Sequence, residues 1–277
     1  LRKGDIVDLN FDDFVMEVKR ELTKEEQDLL ELVKIVQETD DYIVINKPSG
    51  VVSHPGAHVI LKDEILRTVT VAGWVLAHYP EIWGVGEYSN RPGIVHRLDK
   101  ETSGLMVVAK NQAMFAHLKK QFKDRFTQKT YITLVHGTID ADNGVLDFEM
   151  KLGKDGKMVA LPKVKSVTLD NVKKLQQGKE AVTEFEVIQR FTRYTLIHAK
   201  PRTGRTHQIR VHFFAFNHPI VGDPLYFNKK NEHNRDRELG RLFLHASVLS
   251  FVDKTGERRE FTSELPGYLN DFILKIS

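Results

Sequence analysis

Residues 91–110 read RPGIVHRLDKETSGLMVVAK. Pro92-Gly93 is a turn signal, and Gly104-Leu105-Met106-Val107-Val108-Ala109 is an apolar run of strand length. Ile94 and Val95 open a second, shorter apolar run. Between the two lies a polar block from His96 to Ser103, broken only by Leu98. Polar side chains held between two apolar runs are where a rigid scaffold presents groups to a ligand. In extended backbone, alternation sets Arg97 and Asp99 on one face and Leu98 on the other. Taken alone, Arg-x-Asp reads first as a surface ion pair, with Lys100 and Glu101 as solvated charges.

Composition sets the bounds around this block. The chain has 277 residues, enough for a substantial core in one large or two small domains. Net charge is +3, from 41 basic and 38 acidic side chains, so the total does not by itself point to nucleic acid. Its distribution says more. Lys110 to Lys129 holds six Lys/Arg and one acid, Asp124; Lys200 to His212 holds four and no acid. Two local basic patches in a balanced chain fit a polyanion groove, and solvated faces fit as well. There is no cysteine, which excludes disulfide and thiolate chemistry and permits a reducing, cytoplasmic setting. No apolar run reaches the roughly 18 residues of a membrane span. The first residues, LRKGD, have neither an initiator Met nor a signal pattern, so the chain is expected to begin inside a longer gene product.

The remaining segments frame the block. Thr23-x-x-Glu26 is a capping box that starts a short helix. Leu32–Gln37 and Tyr42–Asn46 flank a turn as a hairpin. NKPSGVVSHPG, residues 46–56, is a structured loop. Ile65, Val69, Ala72 and Leu76 predict one helix over Glu64–His78, with Trp74 as packing. Met114, Phe115, Leu118, Phe122 and Phe126 form the apolar stripe of a second helix, with Lys119, Lys120 and Lys123 on its other faces. KTYITLVHG, residues 129–137, is an alternating strand. Residues 138–180 read as turns and short strands, with an unexplained excursion over Lys157–Gln177. Ala181–Ile188 and Tyr194–Ala199 form a strand pair. In PRTGRTHQIRVHFFAFNHPIVGDPLY, residues 201–226, Thr206 is the expected N-cap, Ile209, Phe213 and Phe216 one helix face, and Asn217 a left-handed C′ residue. His207 and His212 are five apart, about 140° around a helix, which argues against a shared metal. Residues 228–240 read as a mobile loop, and Leu242–Phe251 as a core strand. Thr255-Gly256 then turns into a last strand, and a short helix follows Pro266.

H-R-L-D-K-E-T-S-G-L, ahead of an apolar strand, resembles the active-site motif of the RluA/RluD-type pseudouridine synthases, the ribosomal large-subunit branch. The likeness extends to K-P-x-G with H-P-G at 47–56, K-x-Y-x-x-L-V-x-G at 129–137, T-G-R-T-H-Q-I-R-V-H with N-H-P-I-x-G-D-x-x-Y at 203–226, and L-H-A at 244–246. It implies an α+β pseudouridine synthase fold, with a mixed, mostly antiparallel central sheet, flanking helices and a central cleft. Residues 33–277 would be the catalytic domain, and residues 1–32 the remnant of an N-terminal RNA-binding domain plus linker, with 1–9 its closing hairpin.

The implied reaction converts uridine in RNA to pseudouridine without change of composition, so no cofactor and no metal are expected. Asp99 would be the catalytic carboxylate, acting as nucleophile or as general base; the sequence leaves this choice open. Arg210 would pair with it and Tyr131 would lie against the base. Arg97 would fill the space left by the flipped nucleotide. His96, Leu98, Lys47, Arg205, His207 and Leu244 complete the expected substrate-binding set. The partner would be RNA, ribosomal RNA ahead of transfer RNA, and the enzyme a cytoplasmic monomer. Two rivals remain. A non-catalytic RNA-binding module would bind RNA without isomerising it, and a hydrolase pairing Asp99 with Glu101 would release free uracil.

Overall fold

The apolar run of the central motif becomes strand β3, Ser103–Ala109, buried at all seven positions. Each fully buried Leu, Met or Val there contributes roughly 1.5–3 kcal/mol. The structure, a computed structural model, describes residues 21–161, 178–227 and 234–277. The expectations for residues 1–20, 162–177 and 228–233 lie outside that set.

Before β3 come helix α1 (Lys24–Glu31), β1 (Lys34–Glu38), β2 (Tyr42–Lys47), and helices α2 (Lys62–Leu66) and α3 (Val71–His78). After it come α4 (Gln112–Lys123), β4 (Gln128–His136), β5 (Asn143–Leu152), β6 (Met158–Leu161), β7 (Lys179–Arg190), β8 (Tyr194–Pro201) and α5 (Gln208–Ala215). The chain ends with α6 (Asn234–Leu239), β9 (Leu244–Val252), β10 (Arg258–Thr262) and α7 (Gly267–Ile276). The described strands form one sheet ordered β1-β2-β3-β9-β4-β8-β7-β5-β6, with β10 paired to β9. Every pairing is antiparallel except β3 with β9. This is the mixed, mostly antiparallel α+β sheet that the motifs imply.

The parallel pair sits at the centre and carries the site. Ser103 and Gly104 face His245 and Ala246, joining the central motif to the L-H-A block. Ser103 Oγ and His245 Nδ1 are 2.9 Å apart. His245 Nε2 lies 3.1 Å from Ser263 Oγ, which accepts from Asn46 Nδ2 at 2.8 Å. Gly104 has φ +118°, and a Cβ there would stand 2.3 Å from the Ala246 carbonyl oxygen. Only glycine lets the two backbones approach this closely.

The capping box is formed: Thr23 Oγ1 accepts from Glu26 N, and Glu26 Oε2 accepts from Thr23 N. Leu29 and Leu30 of α1 pack on the main core. Trp74 is 5% exposed and stacks on His78, as packing. Asn217 is left-handed, with φ +64°.

Several details differ from the sequence reading. The helix expected over 64–78 is two. The chain breaks at Arg67–Thr70, where Thr70 Oγ1 accepts from Gly73 N and caps α3. Thr206 does not cap α5; His207 does, in the left-handed region at φ +55° and without a side-chain bond. The short strands expected in 138–180 include the ten-residue β5, paired with β7 from Asn143 to Met150. Part of the loop expected at 228–240 is the helix α6. Phe126 leaves the apolar stripe. Arg125 turns left-handed after α4 (φ +62°), and Phe126 is 59% exposed.

Gly104→Ala is expected to destabilise the fold by roughly 2–4 kcal/mol, through the clash and the positive φ together. Chemical denaturation would show it as a lower midpoint, and an unchanged midpoint would contradict the close approach. Burial also holds three histidines neutral: His96 at about 3, His212 at about 4 and His245 at about 4, against the usual 6.5. Below pH 6.5 an unfolded chain takes up protons on these rings that the folded chain refuses until about pH 4. Stability is therefore intact above pH 6.5 and falls as pH drops through that window. The denaturation midpoint is expected to be clearly lower at about pH 5 than at about pH 7.

Candidate active site

Asp99 lies in the loop that enters β3, and the preceding 47–53 loop holds it from below. Ser53 Oγ accepts from Leu98 N at 3.0 Å and donates to Leu98 O at 2.7 Å. Gly50 N donates to Lys100 O at 2.8 Å. Lys47, wholly buried, sends its ammonium to the carbonyls of Pro48 (2.9 Å), Val51 (2.8 Å) and Lys100 (3.3 Å). Three acceptors match the three ammonium hydrogens. Burial pulls this lysine down to about 7, with Asp99 and Glu101 opposing. Lys47 therefore stands beneath the loop that carries Asp99 and does not line the cavity.

The Asp99 side chain, 15% exposed, opens into a cavity of about 100 Å³. Leu98, Leu244 and Tyr131 form its apolar lining, at 4%, 3% and 8% exposure. Tyr131 comes from β4, opposite a register shift at Ser247 of β9. Burial, and then the charge of Asp99, pushes its hydroxyl above the usual range, so it stays protonated and able to donate.

Arg210 reaches the cavity from α5 and is 3% exposed. Its Nε and Nη2 donate to the two oxygens of Asp223, both at 2.7 Å. The remaining Nη1 stands 3.5 Å from Asp99 Oδ2. Burial works against the guanidinium charge, but the Asp223 bonds and the charges of Asp223 and Asp99 outweigh it and raise the pKa. His207 Nε2 is 3.8 Å from the same Asp99 oxygen, and its Nδ1 is 3.0 Å from the Tyr226 hydroxyl. Burial lowers its pKa, with Asp99 opposing.

Arg97 and Arg205 line the same cavity and also the groove outside it, about 510 Å³. That groove adds Arg91, Lys123, Arg125 and Arg202 and contains no acid in its lining. Of the α4 lysines, Lys119 pairs with Glu87 and Lys120 with Asp124, which leaves Lys123 to the groove. His96 borders the groove, yet its Nε2 accepts from Val107 N at 3.0 Å and its ring stacks on Phe122. Glu101 is absent from the cavity lining, so the pair of carboxylates that a hydrolase needs is not assembled there. His212 lies against Phe148 in the core, away from His207. Among the described residues, no group of three or more His, Asp or Glu is placed to hold a metal.

Sequence reasoning passed over Ser53, Lys129, Asp223 and Tyr226 as site residues. Asp223 had a usable signal. A buried arginine needs a carboxylate, and Asp223 is the only acid from Pro201 to Tyr226.

A family model described as RNA pseudouridylate synthase matches residues 41–215. The chain belongs to this family. It is 37% identical to an uncharacterised RNA pseudouridine synthase of Bacillus subtilis, over 86% of this chain and 71% of that protein. It is 36% identical to ribosomal large subunit pseudouridine synthase D of Borreliella burgdorferi, over 84% and 65%. The likeness to synthase D of Vibrio cholerae is also 36%, over 94% and 75%. The solved structure of human RNA pseudouridylate synthase domain containing 1 superposes with a TM-score of 0.65 at 25% identity, over 86% of this chain and 85% of that one. The chain thus spans 65–75% of the length of these bacterial relatives. No helix among the described residues is long and apolar enough to cross a membrane.

Asp223→Ala is expected to cost roughly 3–5 kcal/mol, because it strands the buried guanidinium of Arg210. Denaturation of the variant checks the loss. Wild-type stability would mean that the pair does not anchor the site.

Proposed function

We propose that the protein isomerises specific uridines in structured RNA to pseudouridine, with Asp99 as the catalytic carboxylate. The observation that carries this reading is the placement of Asp99. It faces a small cavity with an apolar side of Leu98, Tyr131 and Leu244, beside a guanidinium whose other edge is committed to Asp223. The carboxylate keeps its lone pairs for the substrate, with the guanidinium Nη1 3.5 Å away. A planar pyrimidine entering the cavity meets the Tyr131 ring on one side and the Leu98 and Leu244 side chains around it.

The carboxylate then attacks the ribose carbon or removes a ribose proton, and the glycosidic bond breaks. The freed uracil turns within the cavity and rejoins through carbon. The protonated Tyr131 hydroxyl is available for the proton shifts that follow. Arg210 stabilises negative charge throughout. Extruding the target base costs a few kcal/mol of stacking, which contacts outside the cavity must offset. The acid-free basic groove supplies them by holding phosphates.

Ribosomal RNA is the favoured substrate, because relatives with 36% identity carry ribosomal large subunit names. The catalytic domain is read as residues 33–277, and the setting as cytoplasmic.

Asp99→Asn is expected to lower pseudouridine formation by roughly 100- to 10,000-fold or more while leaving RNA binding largely intact. Product is read by carbodiimide adducts on RNA of unchanged mass, and binding by filter retention. Full activity in the variant would refute the assignment. Release of free uracil by the wild type would replace it with hydrolysis.

A further inference from the structure

The cavity around Asp99 and the basic groove share a border. Arg97, Lys129, Pro201, Thr203, Gly204 and Arg205 line both spaces and form a throat between them. Three of these six are cations. Asp99 is the only acid in the lining of either space, and it belongs to the inner one.

Arg97 and Lys123 have no hydrogen bond or ion pair among the described residues but are exposed; Lys129 is the half-buried case. Arg125 pairs with Glu180, Lys200 with Glu186 and Arg202 with Glu184. Arg205 Nε donates to the Glu180 carbonyl. No hydrogen bond or ion pair holds the Lys129 ammonium among the described residues; its nearest stabilising feature is the Phe122 face, 5.9 Å away. Lys129 is half-buried, and burial pulls it down to about 8. A half-buried charge without a partner opposes folding. The chain carries that cost at the entrance to its site.

The surroundings say what the missing partner is. Lys129 lies two residues before Tyr131 on β4, so the two side chains leave the strand on one face. The wall across from its ammonium is Gly204, where an added Cβ would come within 3.9 Å of Nζ. The space beside the ammonium is thus bounded by backbone and by two arginines. That is a site for a compact anion bearing several oxygens.

We propose that Lys129 is the phosphate grip of the throat, binding a phosphodiester next to the nucleotide whose base enters the cavity. This rests on the reading of the groove as an RNA site. It makes Lys129 a positioning residue. Holding that phosphate sets the depth to which the nucleotide enters, and so places its ribose against Asp99.

The test separates this role from a structural one by sign. Lys129→Met removes an unpaired half-buried charge and keeps the apolar stem. The variant is expected to melt at a higher temperature than the wild type. It is also expected to bind a uridine-containing RNA stem-loop roughly five- to tenfold more weakly, and to lose about 0.7–0.9 from the slope of log affinity against log salt. Lys129→Arg is expected to restore affinity and slope. Equal RNA affinity and slope in Lys129→Met and wild type would overturn the proposal, as would a lower melting temperature accompanying the loss of binding. Inorganic phosphate alone provides a control. If it stabilises the wild type but not Lys129→Met while both bind RNA equally, the site is for free phosphate and the proposal falls. Failure of the wild type itself to bind RNA would instead remove the reading of the groove on which the proposal rests.

Discussion

A guanidinium has two usable edges, and in this protein each faces a different carboxylate. Asp223 takes one edge of Arg210 through two short bonds in a buried position. Its Oδ1 also accepts from the backbone of Leu225 and Tyr226, so the carboxylate is fully engaged. What is left of the arginine points at Asp99 from 3.5 Å. Had Arg210 forked onto Asp99 instead, that carboxylate would have been spent on an ion pair. With the fork turned away, Asp99 has a positive neighbour and still has free lone pairs. Orientation of α5, of the 223–226 turn and of His207 through Tyr226 all follow from this arrangement.

The rest of the site is held mainly through backbone. Ser53 grips both backbone polar atoms of Leu98, while Gly50 and Lys47 meet at the Lys100 carbonyl. These contacts do not depend on which side chains the loop bears. They fix the loop, and the loop presents Asp99. A carboxylate set in advance does not have to reorganise when charge develops, which is where electrostatic catalysis gains most.

Much of this could be read from residue order, and the limits have physical causes. Alternation and turn residues gave β2, β3, β4, β7, β8 and β9 nearly to their ends, because each alternates or is wholly buried and stops at a turn. The Asn217 cap was legible because few residues tolerate a positive φ. The break between α2 and α3 was not, since Thr70 ends one helical period and starts another without disturbing the apolar spacing. His207 in a left-handed cap was hidden for the opposite reason: tertiary contacts to Asp99 and Tyr226 hold a backbone that its own preferences do not favour. The resemblance to the pseudouridine synthase motifs brought Asp99, Tyr131 and Arg210 forward as a set. Which carboxylate received the arginine's two-pronged bond needed coordinates, because no local pattern reports a contact between a helix and the turn after it. Where His96 and Lys47 sit also needed coordinates: Lys47 gives its ammonium to three backbone carbonyls, while His96 Nε2 accepts from Val107 N and its ring borders the groove.

The single parallel pairing of the sheet joins residues about half a chain apart. Ser103 and His245 touch across 142 positions of sequence, and Gly104 was shaped for that partner alone. During synthesis the 97–102 loop leaves the ribosome long before β9 exists, with one wall of its pocket unmade. Arg210 and Asp223 also emerge after it. Catalytic competence must therefore arrive near the end of translation, when the last third of the chain slots between β3 and β4. A truncated product ending before Leu244 would keep every residue of the central motif and still lack a floor for it.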